Sequence, residues 1–194
     1  IEDAAISFAY AKHFAGGEGL VPFVGGERVE GYSNPLWVLM LSAGYLVGID
    51  GFVSSKVLQV VFCTATVPLT YLVAREADPD GESPLFAAAA LAASAQFALW
   101  GSSGLENALF NLLMAAGLWR LLVESRTGRW PWSALLFFGL AITRPEGILY
   151  AAVAGLFGMV FGLQRQVGSG VKQTARWLLT FFLPFVSYQA GRYE

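Results

Sequence analysis

The sequence predicts an all-α fold: a polytopic bundle of transmembrane helices with an external juxtamembrane helix ahead of it. Composition is the first reason. Hydrophobic residues are 56% of the 194 and charged residues 13%, against about 45–50% and about 25% in soluble domains. Spacing is the second. No Asp, Glu, Lys or Arg occurs in residues 31–49, 57–74, 83–105, 107–119, 130–143, 147–164 or 177–191, and a helix needs about 20 mostly apolar residues to cross a bilayer. The same composition excludes some functions. A net charge of -2 with scattered Lys and Arg leaves no face for nucleic acid, which needs clustered cations against its phosphates. Cys63 is the only cysteine, so neither an internal disulfide nor a thiolate metal site can form. Inside its apolar stretch it reads as a small buried hydrophobe.

Taken in order, residues 1–34 form an external loop, because Glu2, Asp3, Glu18, Glu27 and Glu30 make it too polar to span. Its opening, EDAAISFAYAKHFAGG, has the pattern of a short amphipathic helix: Asp3 is a good N-cap, Ile6, Tyr10 and Phe14 repeat every four residues, and Gly16-Gly17 ends it. Residues 35–190 are the membrane region. A re-entrant or surface-lying helix at 35–47 is followed by spans at about 57–74, 84–100, 105–123, 132–142, 148–162 and 177–190, and 191–194 begin a further external loop.

Sidedness follows from Lys and Arg, which mark cytoplasmic connections. Arg120, Arg126 and Arg129 fall in one connection and Arg165, Lys172 and Arg176 in another. With both in the cytoplasm, the turns GSSGLEN (101–107) and TRPEG (143–147), the terminal GRYE and the opening segment lie outside, and the 75–83 connection lies inside. Segment 35–47 must then leave and return on one face. Segment 132–142 is only about 16 Å long at about 1.5 Å per residue, short of a hydrocarbon core of about 30 Å. Such shortness is tolerated where a helix lines a cavity.

The residues able to carry chemistry gather at the external turns. Glu2 and Asp3 form an adjacent carboxylate pair, one of which can act as general base on a hydroxyl; capping of the first helix is the competing role for Asp3. The segment GGERVEGYSNPLW places Arg28, Glu30, Tyr32 and Asn34 just before an apolar helix. Its plain alternative is a polar loop with Pro35 starting the helix and Trp37 at the interface. Glu106 lies one residue inside an apolar helix, and Arg144 and Glu146 lie between two others. Ionisable groups at such positions are costly and tend to mark sites, although Arg144 and Glu146 can also simply pair with each other or with lipid. His13 beside Lys12 reads as a solvated interfacial residue, since no second His completes a metal site.

EDAAISFAYAKHFAGGEGLV, GERVEGYSNPLW, GSSGLEN, TRPEG and GRYE, in this order, resemble the terminal arabinofuranosyltransferase-like branch of the GT-C glycosyltransferases over essentially the whole chain. The resemblance implies a GT-C-like helical bundle in a bacterial or archaeal cytoplasmic membrane, with its active face extracytoplasmic. It also implies a first transmembrane helix before Ile1, and the polar chain ends fit a piece of a longer protein. The family's paired acid falls on Glu2-Asp3, its Arg-Pro-Glu-Gly motif on Arg144 and Glu146, and the start of its next external motif on Arg192-Tyr193. Implied partners are a polyprenyl-phosphate sugar donor, a glycan, lipid or protein acceptor, and membrane lipids. No resident cofactor is expected, and a divalent cation is left open. In the expected reaction Asp3 or Glu2 is the base. Arg144, Arg28 and Lys12 hold the donor phosphate, and Glu30, Tyr32, Asn34, Glu106, Glu146 and Arg192 contact substrate. The rival readings are a lipid or solute transporter or flippase, and a non-catalytic membrane protein of the same fold. Transporters, however, concentrate their polar groups near the bilayer midplane.

Overall fold

The computed structural model describes residues 2–26, 31–165 and 167–192, without the side chains of Glu2, 161–165, 167–169 and Arg192. Among the described residues the fold is all-α and contains no strand: α1 (Glu2–Ala15), α2 (Pro35–Leu46), α3 (Gly51–Ala77), α4 (Ser83–Ala92), α5 (Ala95–Gly101), α6 (Asn107–Thr127), α7 (Trp132–Ala141), α8 (Gly147–Arg165) and α9 (Val167–Arg192). Two of these, α3 and α6, are long and apolar enough to cross a membrane, and a third crossing results if α4 and α5 are one bent span. The chain is a helical membrane protein.

Local chemistry explains where the helices depart from the expected bounds. The Asp50 carboxylate accepts the Phe52 N–H at 2.8 Å and so starts α3 at Gly51, well before residue 57. The expected span 84–100 is broken. Ser94 accepts the Phe97 N–H at 3.2 Å, starting a new helix that is bent by 55° from α4. Helix α9 begins at Val167, so Lys172 and Arg176 are helical residues and not part of a loop. It also runs on to Arg192, where an external loop was expected to have begun.

The first helix ends as expected, with Gly17 at φ +80, but of its expected apolar stripe only Tyr10 is buried. Ala4, Ser7, Tyr10 and Ala11 are buried while Ile6 and Phe14 are exposed. Small side chains let α1 approach its neighbours closely, and large apolar ones need no protein cover where lipid lies beside them. The pattern extends over the molecule. Val57, Val60, Leu85, Phe86, Leu149, Leu179 and Leu183 are exposed, whereas Ser55, Gln59, Thr66, Ser133 and Thr143 are buried. An apolar exterior around polar interior groups suits hydrocarbon as solvent.

Contacts sort the connections onto two ends of the bundle. At one end Ser7 of α1 meets Asn34, and Gln59 of α3 holds the 101–107 turn by donating to Leu105 O at 2.9 Å and accepting from Gly104 N at 3.2 Å. Lys56 of α3 donates to the Ser102 carbonyl there as well. Helix α2 starts and finishes at this end. Its Leu36 N–H bonds Ile142 O at 3.1 Å, and Gly44 lies against Ser54 in the first turn of α3. It therefore does not cross the bundle. At the opposite end Arg126 pairs with Glu76 at 2.9 Å, joining the last turns of α3 and α6. There Glu124 of α6 takes the N–H and hydroxyl of Ser133 at the start of α7, and Gln173 of α9 donates to Glu124 O at 2.9 Å.

Candidate functional site

The site is built where α1, α2, α6 and the α7–α8 turn meet. Asn34 precedes α2 and Glu106 precedes α6, so Glu106 stands outside the helix that was expected to contain it. Neither side chain caps its own helix. Asn34 Nδ2 instead donates to Glu106 Oε2 at 2.7 Å and to Ser7 Oγ at 3.1 Å, and Ser7 Oγ donates back to Asn34 Oδ1 at 3.2 Å. Both Asn34 and Glu106 are buried. Trp37, expected at the interface, is fully buried and donates its indole N–H to Gly104 O at 3.3 Å. Gly104 is at φ +89, and a Cβ there would lie 3.3 Å from Ala4 Cβ. The turn can carry Glu106 this close to α1 because residue 104 has no side chain.

Arg144 joins this network from the other side. Its Nη1 donates to Glu106 Oε1 at 3.2 Å and to Asn107 Oδ1 at 3.0 Å. Nη2 and Nε donate to the two oxygens of Glu146 at 3.1 and 3.5 Å. Four of the five guanidinium N–H groups are therefore occupied. The hydrogen bond to Glu146 holds Arg144 still more firmly protonated, and Arg144 holds the Glu146 carboxyl below its ordinary range. Two carboxylates against one cation leave the cluster net negative. Only Glu146 is easily displaced, because its side chain is 55% exposed whereas that of Glu106 is 8% exposed. The turn that carries Arg144 is tight: a Cβ on Gly147 would fall 2.3 Å from Leu140 O.

Two larger hollows open beside α8 and α9. One, of about 430 Å³, is lined by Tyr32, Ser33, Pro35, Pro145, Tyr188 and Gln189 among others, so its wall includes chain neighbours of both Asn34 and Arg144. The other, of about 360 Å³, runs between α8 and α9 and is almost wholly apolar; Ile148 and Phe185 belong to both. A small hollow of about 30 Å³ at the Glu124 end has room for one water.

The expected site residues divide accordingly. Asn34, Glu106, Arg144 and Glu146 come together, and Tyr32 sits beside them, edge-on to Tyr10 at 4.8 Å between ring centroids. Asp3 is exposed and lies one helical turn before Ser7, on the same side of α1. Because α1 already includes Glu2, Asp3 is inside the first turn and not at the N-cap. Its carboxylate complements the positive helix end. Lys12 is exposed in the last turn of α1, nine residues from Asp3 and about 13 Å along the axis, and takes no part in the cluster. His13 is not simply solvated, since Nδ1 pairs with Glu18 at 2.5 Å. Cys63 is half-buried against Gly101. Arg28, Glu30 and Tyr193 lie outside the described residues, as do the side chains of Glu2 and Arg192. Among the described residues no group of three or more His, Cys, Asp or Glu could hold a metal ion.

Sequence reasoning missed Ser7, Gln59, Asn107 and Trp37 as parts of this end. Gln59 had a readable signal, a polar residue within an apolar membrane segment. Ser7 and Asn107 had none, because small polar residues occur on any helix. No family model, curated protein or solved structure matches the chain. Fold and site together define a helical membrane protein with a charged, hydrogen-bonded cluster at one end.

Proposed function

We propose that the chain belongs to a membrane glycosyltransferase, which moves a sugar from a polyprenyl-phosphate donor to an extracytoplasmic acceptor with inversion. One observation carries the reading: chain neighbours of Asn34 and Arg144, members of the hydrogen-bonded cluster, line a hollow that shares Ile148 and Phe185 with an apolar groove between α8 and α9. That pairing of surfaces suits an amphiphile whose phosphate lies near Arg144 and whose chain follows α8 and α9. The same end of the bundle carries Glu2 and Asp3. In the reaction a carboxylate of α1, Asp3 before Glu2, takes the proton from an acceptor hydroxyl. The hydroxyl oxygen bonds to the anomeric carbon as the bond from that carbon to the phosphate oxygen breaks, and polyprenyl phosphate leaves. Arg144 steadies the departing phosphate through its planar fork, displacing the exposed Glu146. Glu106 and Asn34 keep the guanidinium in place.

The test uses the complete protein in lipid nanodiscs with a polyprenyl-phosphate sugar donor. Asp3→Asn or Glu2→Gln lowers turnover by about 10²–10⁴-fold, the usual contribution of a general base, while the protein stays folded and still binds donor. Near-normal turnover in both variants sinks the mechanism.

A further inference from the structure

The end of the bundle that carries Glu124 is divided by charge. On one side the α3–α4 connection holds Asp78, Asp80 and Glu82. On the other stand three exposed cations that form no ion pair among the described residues: Arg129 in the α6–α7 connection, and Lys172 and Arg176 on α9. Packing brings the two elements together. Gln173 of α9 donates to Glu124 O at 2.9 Å, Trp177 donates to Ser133 Oγ at 3.0 Å, and a Cβ on Gly128 would meet Gln173 Oε1 at 3.9 Å. Arg129 directly follows Gly128, so it stands beside this stretch of α9. Thr174 and Leu178 line the groove toward α8, so Lys172 and Arg176, one turn apart, project from the other flank, next to Gln173. The same stripe of α9 continues at helical spacing through Leu179 and Leu183, which are 59% and 65% exposed. Cations therefore give way to bare hydrocarbon along a single line. Trp130 and Trp132, on the α6–α7 connection, are exposed as well, and exposed Trp is typical of the membrane–water boundary. A soluble polyanion has no use for the indoles or for the leucine stripe. A phospholipid uses both.

We propose that this surface binds an anionic phospholipid of the adjoining leaflet, with the headgroup phosphate between Arg129 and the Lys172–Arg176 pair and an acyl chain along Leu179 and Leu183. The cations stand at headgroup depth, where their stems can lie on apolar surface while their charges reach phosphate. The lipid joins the α6–α7 connection to α9. The site is independent of the donor reading, which concerns the opposite end of the bundle.

The experiment titrates the complete protein, in detergent, with short-chain phosphatidylglycerol and with phosphatidylcholine of the same chain length. Wild type binds phosphatidylglycerol about tenfold or more tightly, as three cations facing one extra negative charge imply, and the preference shrinks as salt is added. The triple variant Arg129→Gln, Lys172→Gln, Arg176→Gln removes the preference and leaves the phosphatidylcholine affinity and the lipid-free melting temperature unchanged. Arg75→Gln, which removes a cation from the same end on its acidic side, leaves the preference intact. If the triple variant keeps the preference, or Arg75→Gln abolishes it equally, the patch is not the lipid site. If inorganic phosphate displaces phosphatidylglycerol at matched concentration, the surface reads a free anion, and the lipid assignment falls.

Discussion

Asn34 and Glu106 each stand at the position that normally caps a helix, and each leaves its own helix uncapped to bond the other at 2.7 Å. Asn at that position usually stabilises a helix by about 1 kcal/mol. Diverting it fixes the start of α2 to the start of α6 across 72 residues of chain. A double-mutant cycle with Asn34→Ala and Glu106→Gln should therefore show a coupling energy of about 1–3 kcal/mol, as contacting residues in one network do. Thermal unfolding in detergent reads it, and additive effects would mean that the pair is not a working contact.

Gly147 closes the α7–α8 turn where a Cβ would lie 2.3 Å from the Leu140 carbonyl oxygen. The obstacle is backbone, so it cannot rotate away. Gly147→Ala should destabilise the protein by about 1–3 kcal/mol, the usual effect of an added methyl in a filled space. It should also lower the affinity for farnesyl phosphate by moving Arg144. A variant as stable as wild type would show that the turn has slack.

The clasp between Arg144 and Glu146 makes a prediction about pH. Arg144 lowers the folded-state pKa of Glu146, so the contact stabilises above the ordinary glutamate range and is lost as pH falls through the folded value. Water screens a carboxylate that is 55% exposed, which limits the contribution to about 0.5 kcal/mol. The stability of wild type over Glu146→Gln should be small and positive at pH 7 and be lost as pH falls below the ordinary glutamate range. A difference that grows in acid contradicts the assignment. At neutral pH the same substitution should tighten farnesyl phosphate binding severalfold, since a competing anion has been removed from the fork.

Sidedness is open to chemical labelling. In a Cys63→Ser background, Ser102→Cys should react with an impermeant maleimide from outside and Asp80→Cys only after the membrane is opened. These positions lie in turns at opposite ends of the bundle, the 101–107 turn held to α3 by Gln59 and the connection after α3 held to α6 by Arg126 and Glu76. Reaction of Asp80→Cys from outside would invert the topology.

The helical class and most helix positions were legible because a hydrophobic run constrains length and little else. The break at Ser94 was not, since a serine within an apolar stretch reads equally as an interior residue or as a cap. The convergence of Glu106 with Arg144 was legible from the cost of charge near lipid, which leaves such groups few places to go. What they bond was not. Asn34 looks like the cap of α2 until the fold brings Glu106 within reach, and the buried face of α1 is Ala4, Ser7, Tyr10 and Ala11 while Ile6 and Phe14 are exposed.

Helix α6 is tied to α7 at both ends, Glu124 to Ser133 and Glu106 to Arg144. The stretch from Glu106 to Glu124 covers about 27 Å of helix, but that from Ser133 to Arg144 only about 17 Å. The long arginine side chain bridges the shortfall, reaching Glu106 and Asn107 at 3.2 and 3.0 Å. A cation whose side chain is a third exposed stays in contact with the ion atmosphere, whose screening length is about 10 Å at 0.1 M salt. Anion capture there should consequently weaken as the salt content of the medium rises.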